Sequence, residues 1–144
     1  VLDVRYIAGF IDGEGCIYYQ KTATPTSTFA GTVCVRIGNE SKTIVEEICK
    51  LYDGRLNSKV LPSGRNFYDA SITGNRAFRL LVDIEPFLVS KKDQAQLVLN
   101  NWESLKPRRG GSSKISGQAR ISAEVSNRRR VIWKELQELK KSYS

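Results

Sequence analysis

The stretch that most constrains this chain is Ile7-Ala8-Gly9-Phe10-Ile11-Asp12-Gly13-Glu14-Gly15. An apolar run with small residues inside it stops abruptly at two acids set between glycines. Asp3 can cap a helix over residues 4–12. On it Ile7, Phe10 and Ile11 share one side, while Ala8, Gly9 and Asp12 form a narrow strip whose small side chains would admit a second helix at close range. Gly13 and Gly15 are expected to end the helix through a left-handed cap. Two carboxylates then lie at the negative end of the helix dipole, which repels them. A divalent cation would relieve that repulsion, and oxygen-only ligation suits Mg²⁺. Two plainer readings compete: a polar turn after a core helix, or the start of a calcium loop whose remaining ligand positions are missing.

With 144 residues, 40% of them hydrophobic, the chain can build one cored domain over residues 1–144, its centre in 1–105. No apolar run is long enough to cross a bilayer, and no N-terminal segment resembles a signal peptide. Cys16, Cys34 and Cys49 lack CxxC spacing and read as buried thiols, so a reducing intracellular setting is expected. The absence of His removes the usual general base and transition-metal ligand. Charge is uneven: residues 106–144 carry 11 Lys or Arg against 3 acids, whereas residues 1–105 carry 12 of each. A basic final third suits nucleic acid or an anionic surface, and also an ordinary solvated tail.

After the first helix, alternation predicts a strand over 16–22, a loop to residue 28 and a return strand over 29–37 with Val33, Val35 and Ile37 on one face. A helix capped by Ser41 runs to residue 52 with Ile44, Ile48 and Leu51 inward. A second hairpin pairs 55–61 with 66–73 around Pro62-Ser63-Gly64. Helices follow from residue 75, from 90 or 91 to 105, and over 127–141, with a basic, glycine-rich loop at 106–118. The fold expected is α+β: an antiparallel four-stranded saddle with helices on one face, an αββαββα core plus C-terminal helices. The other face must be wet or hold a ligand. Its polar positions read as Tyr18, Gln20, Arg36, Asn57, Lys59, Asn66 and Tyr68, a set that a one-residue slip would exchange.

The nine-residue string resembles the motif that names the LAGLIDADG homing endonucleases. Ala8, Gly9, Ile11, Asp12 and Gly15 are identical to it, Ile7 and Phe10 replace leucines, Gly13 replaces alanine and Glu14 the second aspartate. The order of elements also matches, as does a segment holding Pro86-Phe87-Leu88, Lys91 and Gln94-Ala95. The resemblance implies an intron-encoded, site-specific double-stranded DNA endonuclease that uses Mg²⁺, with Mn²⁺ or Ca²⁺ able to substitute in binding, and leaves staggered ends. It implies Glu14 as metal-binding catalytic acid, the Gly13 carbonyl as a further ligand, and Asp12 as a mainly structural acid that could also touch metal. Lys91 would stabilise phosphate charge and Asn39 would orient the attacking water, with Lys42 a weaker basic candidate.

The motif occurs once, which resembles the homodimeric branch of the family. Ala8, Gly9 and Asp12 would then cross their symmetry mates, and the target would be near-palindromic. Gln20, Arg36, Asn57, Lys59, Asn66 and Tyr68 would face DNA, most of them reading base edges, while Arg108, Arg109, Lys114 and residues 128–130 would hold phosphates. Two rivals share the resemblance: an intron RNA maturase that assists splicing, and a DNA-binding regulator that does not cut.

Overall fold

A computed structural model describes residues 2–22, 29–107 and 122–141. The loop residues 23–28 and most of the basic stretch, Arg108, Arg109 and Lys114 included, lie outside the described residues. The chain opens with α1 (Val4–Glu14) and passes directly into the hairpin β1 (Gly15–Lys21) and β2 (Gly31–Asn39). Next come α2 (Lys42–Leu51), the hairpin β3 (Arg55–Val60) and β4 (Asn66–Thr73), and α3 (Gly74–Ile84). A 3₁₀ turn (Glu85–Phe87), α4 (Lys92–Asn100), α5 (Trp102–Leu105) and α6 (Ala123–Lys141) complete the described chain. The four strands form one antiparallel sheet, as the two expected hairpins imply, and their order is β1-β2-β4-β3.

Hydrophobic alternation decides which side of this sheet is covered. Ile17, Tyr19, Val33, Val35, Ile37, Ala70 and Ile72 are buried and belong to one core with Ile7, Ile11, Val45, Ile48, Leu80, Leu81 and Ile84 from α1, α2 and α3. Burial of this apolar surface is the main favourable term in folding. The odd-numbered residues of β2 and the even-numbered ones of β4 point into that core. The opposite face therefore presents Cys16, Tyr18 and Gln20 from β1, Thr32, Cys34, Arg36 and Gly38 from β2, Phe67, Asp69 and Ser71 from β4, and Arg55, Asn57 and Lys59 from β3.

Several local expectations shift. Gly13 lies inside α1, and Gly15 ends the helix in an extended conformation (φ −100°, ψ 170°), not a left-handed one. Gly15 is required for closeness instead: a Cβ there would sit 2.8 Å from Ile11 Cγ2. The helix thus becomes a strand with no loop between them. In α2 the inward residues are Val45, Ile48 and Cys49, and Leu51 is exposed. The long helix expected up to residue 105 breaks at Asn101, whose side chain donates to the Leu97 carbonyl. Helix α6 starts at Ala123, a turn earlier than its polar sequence suggests.

Candidate functional site

The end of α1 holds two acids in contrasting settings. Asp12 is half-buried. Its Oδ2 accepts the Val89 N–H at 2.7 Å, and its Oδ1 accepts the Lys91 N–H at 3.0 Å and the Ser90 hydroxyl at 3.2 Å. Lys91 Nζ donates to the Asp12 carbonyl oxygen. The dipole repulsion expected for this acid is thus relieved by the chain's own donors, and the carboxylate lies at the favourable N-terminal end of α4. Donors from residues 89–91 engage both oxygens of this carboxylate. Glu14 is exposed and, among the described residues, accepts no hydrogen bond or ion pair.

Glu14 opens onto the uncovered face of the sheet. Gly15 pairs with Ile37, so Glu14 lies beside Gly38 and one residue from Asn39. Glu14, Cys16, Arg36, Gly38, Lys59, Phe67 and Asp69 line a cleft of about 410 Å³. Arg36 NH2 meets Asp69 Oδ2 at 3.1 Å. That hydrogen bond, with the attraction of the carboxylate, pushes the arginine's pKa further up. Burial and a hydrogen bond with Cys34 push the Tyr18 phenol, on the same face, up to about 12. At Asn39 the side-chain oxygen accepts the Ser41 N–H at 2.8 Å, which leaves the NH₂ end to meet a ligand.

The metal expectation can be tested on these groups. Among the described residues no cluster of three or more His, Cys, Asp or Glu could hold an ion. One chain offers the Glu14 carboxylate and the last-turn carbonyls of α1, of which Gly13 is one. That set fits Mg²⁺ only as part of a shell, which is how this ion is commonly bound: one or two carboxylates, with phosphate oxygens and waters as the rest.

Four expected contacts are corrected. Asn66 and Tyr68 share the strand parity of Ala70 and Ile72, so they point toward the helices, and Tyr68 packs against the core near the Lys42 ammonium. Phe67, Asp69 and Ser71 take their place on the open face. Ala8 is fully buried in the core and cannot line a free surface. The exposed strip of α1 is Arg5, Tyr6, Gly9 and Gly13, with Asp12 at its edge, and a Cβ at Gly9 or Gly13 would meet nothing within 4 Å. Arg129, grouped with the phosphate-binding arginines, is buried: it donates to the Ser104 and Lys106 carbonyls and to the Tyr19 hydroxyl, tying α6 to the hairpin. Gln20, Arg36, Asn57 and Lys59 do face outward on the open side.

Two residues near the site had no sequence signal. Lys140, at the end of α6, shares a second cleft of about 360 Å³ with Asp12, Ser90, Lys91 and Gln94. Its ammonium also sits 5.1 Å from the Tyr18 ring. Asp69 reads as one acid in a basic hairpin, and only the strand register puts it beside Arg36. A larger, mostly apolar groove of about 650 Å³ between α4 and α6 contains none of these residues.

No family model matches the sequence, and no curated protein does. Solved structures match over nearly the whole chain. The archaeal intron-encoded homing endonuclease I-Vdi141I, complexed with DNA, aligns with a TM-score of 0.70 at 17% identity, covering 94% of this chain and 82% of its own. The homing endonuclease I-CvuI, in complex with its target in the presence of Ca, aligns with a TM-score of 0.61 at 19% identity, covering 96% and 92%. The LAGLIDADG meganuclease I-AabMI, bound to uncleaved DNA, aligns with a TM-score of 0.60 at 20% identity, covering 92% of this chain but 44% of its own. The antiparallel sheet, the helices on one side of it and the motif helix leading straight into its edge strand together make the fold of this chain that of the LAGLIDADG homing endonucleases.

Proposed function

We propose that this chain is a LAGLIDADG homing endonuclease: a homodimer that binds a near-palindromic site in double-stranded DNA and hydrolyses both strands with a divalent metal, Mg²⁺ by its donor chemistry. The observation that carries this reading is the exposed Glu14 carboxylate, without a partner among the described residues, at the rim of a sheet face bearing Arg36, Arg55 and Lys59. The DNA complexes of I-Vdi141I and I-CvuI support the choice of partner, and I-CvuI crystals with Ca and with Mg support the choice of ion class.

The residues divide the work. Glu14 and the Gly13 carbonyl would hold the metal beside a phosphate. When bound, the metal polarises the phosphate and lowers the pKa of a bound water. Lys91, fixed at the Asp12 carbonyl, keeps a positive charge next to the place where negative charge grows on the phosphate. The Asn39 NH₂ can donate to a nearby water or phosphate oxygen. Gln20, Arg36, Asn57 and Lys59 face the groove, where Arg and Lys favour guanine and Asn and Gln favour adenine. The exposed Gly9 and Gly13 strip of α1 suits a close crossing with a second copy, which would bring two Glu14 carboxylates together.

The test is a cleavage selection from a randomised duplex library with Mg²⁺, comparing the wild type with Glu14→Gln. Recovery of one near-palindromic site by the wild type, and binding without cutting by the variant, is the expected result. Binding without cutting by both proteins would favour a non-cleaving regulator, and equal cutting by both would overturn the site.

A further inference from the structure

The open sheet face, read above as meeting DNA, contains one feature that opposes DNA. Apart from Glu14 at its rim, Asp69 is the one acid that the described strands present on it, and a carboxylate there repels phosphates. It stands mid-sheet, paired with Gly38 of β2 on one side and Asn57 of β3 on the other. The Phe67 ring lies across Gly38, where an added Cβ would be 2.7 Å from its Cζ. In this setting the Asp69 side chain is 10% exposed, whereas the side chain of its ion-pair partner Arg36 is 52% exposed. One carboxylate oxygen takes Arg36 NH2 at 3.1 Å, and the other is buried with no hydrogen-bond partner among the described residues.

This geometry separates two jobs that an acid could have on such a face. An aspartate that reads cytosine directly must reach the base edge. Asp69 is too deep for that, and the guanidinium sits above it. What it can do is hold the guanidinium. One N–H of Arg36 is directed to Asp69 and the Tyr18 hydroxyl is a second partner of the guanidinium, while half of the side chain stays exposed and keeps donors for a ligand. A fork fixed before binding loses less side-chain freedom when it meets the two acceptors of a guanine. The pair is also neutral, so Arg36 adds little to general phosphate attraction.

We propose that Asp69 is a positioning residue for base recognition: it orients Arg36 to read one guanine in each half-site and withholds that arginine from the phosphates. The inference rests on the DNA-binding reading above, and the experiment separates the two.

Binding selections on a randomised duplex library, with salt titrations, are run on the wild type, Asp69→Asn, Arg36→Ala and the double variant. Asp69→Asn keeps the shape of the side chain and removes its charge. It should relax guanine preference at one position per half-site roughly tenfold. It should also steepen the salt dependence by about 0.9 per subunit, as the freed arginine finds a phosphate. In the Arg36→Ala background the same change should leave the base profile as it was, which a merely structural role for Asp69 would not produce. Arg36→Lys, which keeps charge without the planar fork, should weaken the guanine preference and retain affinity, and serves if Asp69→Asn folds poorly. A base profile for Asp69→Asn identical to the wild type, or an equal effect with Arg36 absent, overturns the inference and leaves the endonuclease reading intact. Failure of the wild type to bind DNA overturns both.

Discussion

The two sides of α1 differ in what the chain provides for them. On the inner side Ile7, Ala8 and Ile11 are closed into the core, and Asp12 is met by three donors from residues 89–91. On the outer side Tyr6 is 56% exposed, Gly9 and Gly13 face open space, and Glu14 has no partner among the described residues. Asp12 and Glu14 stand two residues apart, about 200° around a helix, and so fall into different environments. An acid whose lone pairs are filled by its own chain is part of the fold. An acid left bare beside cations is available to something the chain does not contain.

Substitutions that act on one side and spare the other test this division. Glu14→Gln should reduce cleavage by at least about 100-fold, the scale of losing a group that acts on transition-state charge. Its melting temperature should match the wild type, measured by thermal denaturation beside a cleavage time course. A clear drop in melting temperature would mean that Glu14 supports the fold after all. Asp12→Asn should do the reverse. An NH₂ group set against backbone N–H donors costs about 1–2 kcal/mol, and several degrees of melting temperature in a chain of this size. Unchanged stability would show that the turn at residues 89–91 does not depend on this carboxylate. The smallest effect is also the most discriminating. Gly9→Ala should stabilise the isolated chain by about 0.5–1 kcal/mol through helix propensity, because the new methyl meets nothing within 4 Å among the described residues. It should at the same time weaken self-association, read by sedimentation at several protein concentrations. Strengthened association would place the crossing elsewhere on the helix.

Much of this architecture was legible because one residue class settled each question. Val33, Val35 and Ile37 alternate without ambiguity, so the side that Arg36 faces follows. The fourth strand was harder. Tyr68 and Asn66 carry polar groups that suggest the wet face, yet Ala70 and Ile72, both fully buried, set the parity, and tyrosine can pack its ring against a core while its hydroxyl stays near the edge. Asp69 was hidden for the same reason, since its role depends on a cross-strand neighbour 33 residues away. Small size alone placed Ala8 with Gly9, although 100° of rotation separates them and only Gly9 is outside. Arg129 looks like its flanking arginines in sequence, and only three oxygen acceptors gathered from distant segments explain a buried guanidinium. Lys140 reaches the site through the packing of α6 on β1, a contact no local pattern encodes.

The direct passage from α1 into β1 has a mechanical consequence. With Ile11 pressed against Gly15, there is no slack to absorb a change in the direction of the helix. The helix and the edge strand behave as one bent rod, with the helix as its handle and the strand carrying Tyr18 and Gln20 as its blade. If two handles cross in a dimer, their angle sets how far apart, and at what pitch, the two blades enter the groove. The length of the recognised site would then be decided at the crossing, and substitutions there should change which spacing of half-sites is accepted without touching a single base-reading side chain.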